Sequence, residues 1–338
     1  MWTQSHPSSP ASGLNDEAIG VIEAGGSTFV AGTRMNSSTS SFVRVVSYAN
    51  VNGSLQDEKD WPAASETMFY TRKMAVYALP NLEYTRVYVA GELFITGSYR
   101  RVFVLAFEEN YDSRKMELVW SKVIDDEADT AERQGDDFLV GMEATENYVA
   151  VAINRKGAGR DFRGVALSTN TGGVAFAGTW AGTGNVDDVP VGVVLYDQGT
   201  TAGTSSIYVG GTTTMDGQLR YKIVGWDNSS PSQVVADIGP AGPSGNDTQA
   251  RAMCGRPNWS TNFQYVSAPV VLACSTNSTS IGTSDTDYYA IANDIVSGLD
   301  LSQRWDRRLT RTGIDIPTAV MSLTFATGAE PAQEASKV

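Results

Sequence analysis

The sequence predicts an all-β protein of the β-propeller class, and three observations predict it. A short run of β-branched or aromatic residues ending in a small residue recurs about every 60 positions. Each copy is preceded by one β-type run and followed by two more. Beyond residues 126–134 no segment carries a helical repeat of apolar positions. Four short strands per repeat of this length is the propeller arrangement rather than a sandwich or a helical solenoid. The expected architecture is five four-stranded blades over residues 15–325, closed by a C-terminal inner strand, with six blades as the alternative. Residues 1–14 are read as a Ser/Pro-rich tail, and 326–338 as a second tail holding no strand.

The recurring pattern reads Phe29-Val30-Ala31-Gly32, Tyr88-Val89-Ala90-Gly91, Ala150-Val151-Ala152-Ile153, Tyr208-Val209-Gly210-Gly211 and Val271-Leu272-Ala273-Cys274, with spacings of 59, 62, 58 and 63 residues. The run before each copy carries a small residue among apolar ones, at Gly20, Ala75, Gly141, Gly192, Ala252 and Ala319. Small residues at that point suit an innermost strand crowded against its counterparts around an axis. After each copy comes another apolar run and then an Asn expected in a turn, at Asn50, Asn110, Asn170, Asn228 and Asn293. The last run ends on Trp61, Trp120, Trp180 and Trp305 in four copies, while the fourth copy has Val234-Val235. A tryptophan repeating at one structural position marks packing between blades. Six inner-type runs against five sets of the other three leave one over, and 317–325 is expected to return to the first blade and close the ring. Closure would remove exposed sheet edges.

The aromatic-Val-Ala/Gly-Gly strand, the Asn/Gly hairpin and the outer-strand Trp resemble bacterial SBBP-type and kelch-like β-propeller repeats over roughly residues 15–325. The resemblance implies a fold and no particular reaction.

The formal net charge of −13 and pI of about 4.6 exclude a basic nucleic-acid binder. The longest apolar stretches are strand-sized, so no spanning helix and no membrane insertion is expected. The single histidine, His6, lies in the Ser/Pro-rich tail, which rules out a Ser-His-Asp triad or a histidine-built metal site on the repeats. There is no phosphate-binding loop, and Gly157-Ala158-Gly159-Arg160 lacks the spacing of a dinucleotide fingerprint.

Four groups of residues carry candidate chemistry or modification. An acidic or hydroxyl residue stands four positions before each small residue, at Asp16, Thr71, Asp137, Asp188, Thr248 and Asp315. Its four carboxylates, Asp16, Asp137, Asp188 and Asp315, could ring a channel mouth, holding a hard cation such as Ca²⁺ or dividing acid and nucleophile roles in glycoside hydrolysis; the competing reading is turn aspartates accepting backbone N–H groups. Trp226 and Trp259 fall outside the repeating Trp position and are the candidates for an exposed ligand contact. Cys254 and Cys274 fall on adjacent strands of one blade, where a disulfide and two buried thiols are both open. Six N-x-S/T sequons, at Asn36, Asn52, Asn228, Asn246, Asn258 and Asn277, are candidate glycosylation sites.

No apolar signal core stands at the start of the chain, which leaves a protein that stays inside or a sequence that begins after its signal; Lys is scarce, with 7 against 18 Arg. Together with the sequons and the Ser, Thr and Asn content, this favours an extracellular or cell-surface protein. The expected role is non-enzymatic: a structural or interaction module binding a protein partner or copies of itself, with no obligatory cofactor. A glycan-binding propeller is the alternative, followed by a carboxylate-based glycoside hydrolase.

Overall fold

A computed structural model describes residues 16–62, 67–78, 84–95, 99–124, 135–156, 159–182, 188–197, 205–215, 217–229, 236–238, 248–255, 268–277, 286–295, 301–309, 321–322 and 336–337, with side-chain surroundings given as far as residue 255. Among these residues every regular element is a strand. Five antiparallel sheets of four strands follow one another along the chain. The first comprises β1 (Glu17–Ala24), β2 (Ser27–Met35), β3 (Ser41–Ala49) and β4 (Leu55–Trp61). The second comprises β5 (Phe69–Ala78), β6 (Tyr84–Ile95), β7 (Tyr99–Asn110) and β8 (Met116–Ile124). The third comprises β9 (Asp137–Ala144), β10 (Tyr148–Lys156), β11 (Arg160–Ser168) and β12 (Val174–Trp180). The fourth comprises β13 (Val189–Tyr196), β14 (Ser206–Met215), β15 (Gln218–Asp227) and β16 (Ala236–Ile238), and the fifth β17 (Thr248–Gly255), β18 (Ala268–Asn277), β19 (Thr286–Ile295) and β20 (Leu301–Leu309). The four-strand repeat expected from the sequence is present in all five copies. The chain divides into two compact units, 1–149 with 168–173, and 150–167 with 174–338.

The recurring glycine has a steric cause. In four sheets the first strand carries a bulge that leaves one residue unpaired, between Ala18 and Gly20, Thr71 and Lys73, Pro190 and Gly192, and Ala250 and Ala252. A bulge kinks its strand toward the partner. A Cβ at Gly32, Gly91 or Gly211 would fall on the carbonyl oxygen of Glu17, Tyr70 or Val189 of the bulged strand. The register also corrects one expected position. Gly20, Gly192 and Ala252 stand opposite Ala31, Gly210 and Ala273, but the residue opposite Ala90 is Lys73, and Ala75 stands opposite Tyr88. Ala75 therefore lies two positions out of step, and Thr71 with it. Smallness alone picked it out, whereas the bulge sets the register.

The residue after each motif glycine ties its sheet to the next. Thr33 Oγ1 accepts the Thr71 amide at 2.9 Å, Glu92 Oε1 the Leu139 amide at 3.2 Å, and Thr212 Oγ1 the Ala250 amide at 2.8 Å. Pro190, opposite Gly211, holds the equivalent place in the fourth sheet and has no N–H to give. At the matching acceptor position Asn154 Oδ1 is buried, with no hydrogen-bond partner among the described residues.

Within the first unit, Phe29, Val43 and Val45 of the first sheet pack on Phe69, Val87, Val89, Phe103 and Leu105 of the second. Trp61 stands edge-on to Phe69 at 5.1 Å, and Trp120 donates its indole N–H to the Thr169 carbonyl at 2.8 Å. Gly25 and Gly26, with φ of +59° and +84°, form the two-residue β1–β2 turn that such a hairpin requires. Met74 of β5 packs over Gly20 of β1, and Met253 of β17 over Gly192 of β13. In each unit, then, the small residue of one first strand receives a methionine from the first strand of the next sheet.

Three expectations about the chain's second half are corrected. The described part of the expected closing strand is β21 (Met321–Ser322), which pairs with β22 (Ser336–Lys337) and not with the first sheet, so the segment read as a strandless tail contributes a strand. Asn293 lies inside β19, opposite Val270 and Gln303, rather than in a turn.

Candidate functional site

In the second unit, three charged groups, two on strands and one just before a strand, meet beside an aromatic ring. Asp161 is the second residue of β11, next to Phe162, whose ring lies 5.4 Å from that of Trp180 at the end of β12. Asp188 precedes β13 and is fully buried. Its amide donates to the Arg160 carbonyl at 2.8 Å, and its Oδ2 accepts the Gly182 amide at 2.8 Å. Lys222, at the middle of β15 and 6% exposed, places its ammonium 5.1 Å over the Trp180 ring. Thr213 Oγ1 is buried beside Gly182 and Asp188, with no hydrogen-bond partner among the described residues.

The electrostatics of this group are uneven. Burial pushes the Asp161 carboxyl above the usual carboxylate range, the negative charge of Asp188 pushes it the same way, and Arg155 works against both. Burial lowers the Lys222 ammonium from its ordinary value, opposed by Asp188. One carboxyl is therefore biased towards its protonated form while its neighbour accepts a backbone N–H. Asp161 and Trp180 are half-buried and reach solvent; Asp188 and Lys222 lie behind them. Such a pair can give a proton to a leaving oxygen and stabilise positive charge developing nearby.

Of the four aspartates singled out from sequence, three are described. Asp16 is exposed and accepts the Met35 amide at 3.1 Å; Asp137 is buried, 3.8 Å from Arg101; Asp188 belongs to the cluster above. Asp315, Trp259, Asn246 and Asn258 lie outside the described residues. Among the described residues no group of three or more His, Cys, Asp or Glu side chains is placed to hold a metal ion. Asn36, Asn52 and Asn228 are exposed, and Asn277 ends β18.

Two expectations are overturned by geometry. Trp226 is not an exposed contact: it is fully buried, its ring lying over Gly164 and Gly178, which face each other across β11 and β12. Cys254 stands opposite Val271 and Cys274 opposite Ala250. Three positions along β18 separate Val271, opposite Cys254, from Cys274, which keeps the two cysteine Cα atoms about 10 Å apart or more, beyond the roughly 7 Å a disulfide spans. Sequence reasoning passed over Asp161 and Lys222. The first follows the Gly157–Arg160 stretch tested only for nucleotide binding, and the second carries no motif.

No protein-family model matches the chain, and no curated protein matches it. Among solved structures it is similar to a europium-containing methanol dehydrogenase, at 11% identity and a TM-score of 0.42, covering 77% of this chain and 49% of that one. It is similar to the exo-β-1,3-galactanase of Clostridium thermocellum, at 12% identity and a TM-score of 0.37, covering 84% and 60%. It is similar to an α-L-arabinofuranosidase from Fusarium graminearum, at 8% identity and a TM-score of 0.42, covering 90% and 89%. The chain thus spans about half the length of the first of these and 60% of the second. These similar structures are β-propeller folds; no SBBP or kelch family is shown. The expectation of a chain without enzymatic activity is corrected here, because the similar structures carry the names of glycosidases and a dehydrogenase. Among the described residues no helix is long and apolar enough to cross a membrane.

Proposed function

We propose that the chain acts on carbohydrate as a carboxylate-based glycoside hydrolase, with Asp161 and Asp188 as its working pair and the four-stranded sheets serving as propeller blades. The observation that carries this reading is the unequal environment of the two carboxyls. Hydrolysis of a glycosidic bond needs one protonated acid and one carboxylate, and neighbouring groups whose surroundings push them apart divide those roles. In this reading Asp161, raised by burial and by Asp188, protonates the leaving oxygen. Asp188, whose Oδ2 accepts the Gly182 amide, serves in this reading as the carboxylate of the pair. Trp180 offers a ring for a sugar to stack on, and Lys222 holds that ring's other side.

The test is a panel of aryl glycosides and polysaccharides assayed for released aglycone and reducing sugar. Wild-type hydrolysis of at least one substrate is expected, with Asp161→Asn slower by about 10²-fold or more, the usual contribution of a general acid. The loss should be smaller for an aryl group that leaves without protonation. No hydrolysis across the panel, or equal rates in Asp161→Asn and wild type, overturns the proposal.

A further inference from the structure

Two arginines in the first unit converge on one carboxylate at the end of the second sheet where β5 begins and β6 ends. Arg72 is the residue that the β5 bulge leaves unpaired, so its side chain leaves the ladder and is 39% exposed. Arg100, the second residue of β7, stands opposite Phe94, with its side chain 28% exposed. Their partner is Glu92, whose side chain is 4% exposed: Arg72 Nε lies 3.5 Å and Arg100 Nη1 3.4 Å from the same oxygen, Oε2. Oε1 is already engaged by the Leu139 amide. Glu92 is therefore fixed by the sheet-to-sheet tie, and one carboxylate oxygen serves two cations.

Aromatic rings hold both guanidinium planes in place. Arg100 lies 4.8 Å from the centre of the Phe94 ring, 5.2 Å from that of Phe138 and 5.8 Å from that of Tyr70, and Arg72 lies 5.5 Å from Tyr70. Stacking of this kind covers the faces of a guanidinium and leaves its N–H edges directed outward. The two groups carry ten N–H donors between them. Among the described residues, the contact from Arg100 Nη1 to Glu92 is the hydrogen bond they make, and Arg100 Nε is buried with none. Glu92 is also the one carboxylate within 4 Å of either guanidinium among the described residues; Asp136 is held by the Arg100 backbone amide at 2.9 Å. The buried Arg100 Nε, without a partner among the described residues, is costly for folding alone.

We propose that Arg72 and Arg100 form a binding site for the carboxylate of a small anionic ligand, taken by the guanidinium edges while Tyr70, Phe94 and Phe138 contact its body. A planar carboxylate matches the fork of an arginine in two parallel hydrogen bonds.

The test is isothermal titration calorimetry on the full chain with three probes: D-glucuronate, acetate and D-glucose. Saturable binding of glucuronate, with no saturation by glucose, is expected. Arg72→Gln should weaken it about tenfold or more, in line with the loss of a charge-assisted hydrogen bond. Arg100→Lys, which keeps the charge and loses the fork, should weaken it as well. Acetate binding as tightly as glucuronate supports a carboxylate site without contacts to a sugar body, and tighter glucuronate binding supports an acidic sugar. The proposal is overturned if neither anion binds saturably, if glucose binds as well as glucuronate, or if the exposed-site variant Arg72→Gln leaves affinity unchanged. The readout is binding, so it stands apart from the outcome of any hydrolysis assay.

Discussion

Replacing Trp226 by alanine is expected to unfold the second unit more readily than any other single truncation among its described side chains. The ring is fully buried, and its floor is a pair of glycines: a Cβ at Gly178 would fall inside the indole, and one at Gly164 would come within 3.1 Å of Trp226 Cζ3 and 2.8 Å of Ile207 Cδ1. Removing a buried Trp costs about 3–5 kcal/mol, the lost transfer energy plus the cavity left behind. In a domain of this size that lowers the unfolding midpoint by roughly 10 °C. Gly178→Ala alone should cost about 1–3 kcal/mol through overpacking. In the Trp226→Ala background the same methyl enters the cavity, so its cost should vanish or reverse. The double-mutant cycle, read by thermal and denaturant unfolding with near-UV circular dichroism, should return a coupling of about 1–3 kcal/mol. A Trp226→Ala cost under about 1 kcal/mol, or equal Gly178→Ala costs in both backgrounds, would refute the packing argument and return Trp226 to the surface.

Other expectations are as direct. Because Asp161 holds its proton more tightly in the fold than when unfolded, its contribution to stability is present below about pH 4 and lost as pH rises through its raised folded value. Asp161→Asn should therefore be more stable than wild type at neutral pH and level with it at pH 3; an unchanged difference across that range would contradict the burial argument. Asn154→Leu removes a buried acceptor that Pro190 cannot satisfy, and should leave stability unchanged or raise it, where Thr33→Val should lower it by about 1 kcal/mol through the orphaned Thr71 amide. Tyr88, fully buried and pushed up to about 12, should account for a late step in the absorbance titration of the phenols, absent from Tyr88→Phe. Intact mass of the native protein after thiol alkylation without reductant should show both Cys254 and Cys274 labelled, since their register keeps them apart.

The repeat was legible because its causes are local. Each strand declares itself by β-branched and aromatic residues, and Gly32, Gly91 and Gly211 stand out because a neighbouring carbonyl leaves no room for a side chain. What depends on register was not. A one-sided slip of two residues separates Ala75 from Lys73, and three positions along β18 separate the two cysteines, yet neither offset alters composition or spacing. Trp226 looked exposed because it abuts a turn; its burial depends on Gly164 and Gly178, some 50 residues earlier in the chain. The Asp161–Asp188–Lys222 group draws on strands of neighbouring sheets, and the Arg72–Glu92–Arg100 group on three paired strands of one sheet whose bulge turns Arg72 out of the ladder, so beyond Asp188 no motif marks either.

The claim that Asp161 and Asp188 are an unequal pair is tested most directly by following the Asp161 side-chain carboxyl by carbon NMR as a function of pH, in wild type and in Asp188→Asn. The account predicts a midpoint above the ordinary aspartate range in wild type that falls when the charge at residue 188 is removed. A midpoint at or below about 4, indifferent to that substitution, would contradict it.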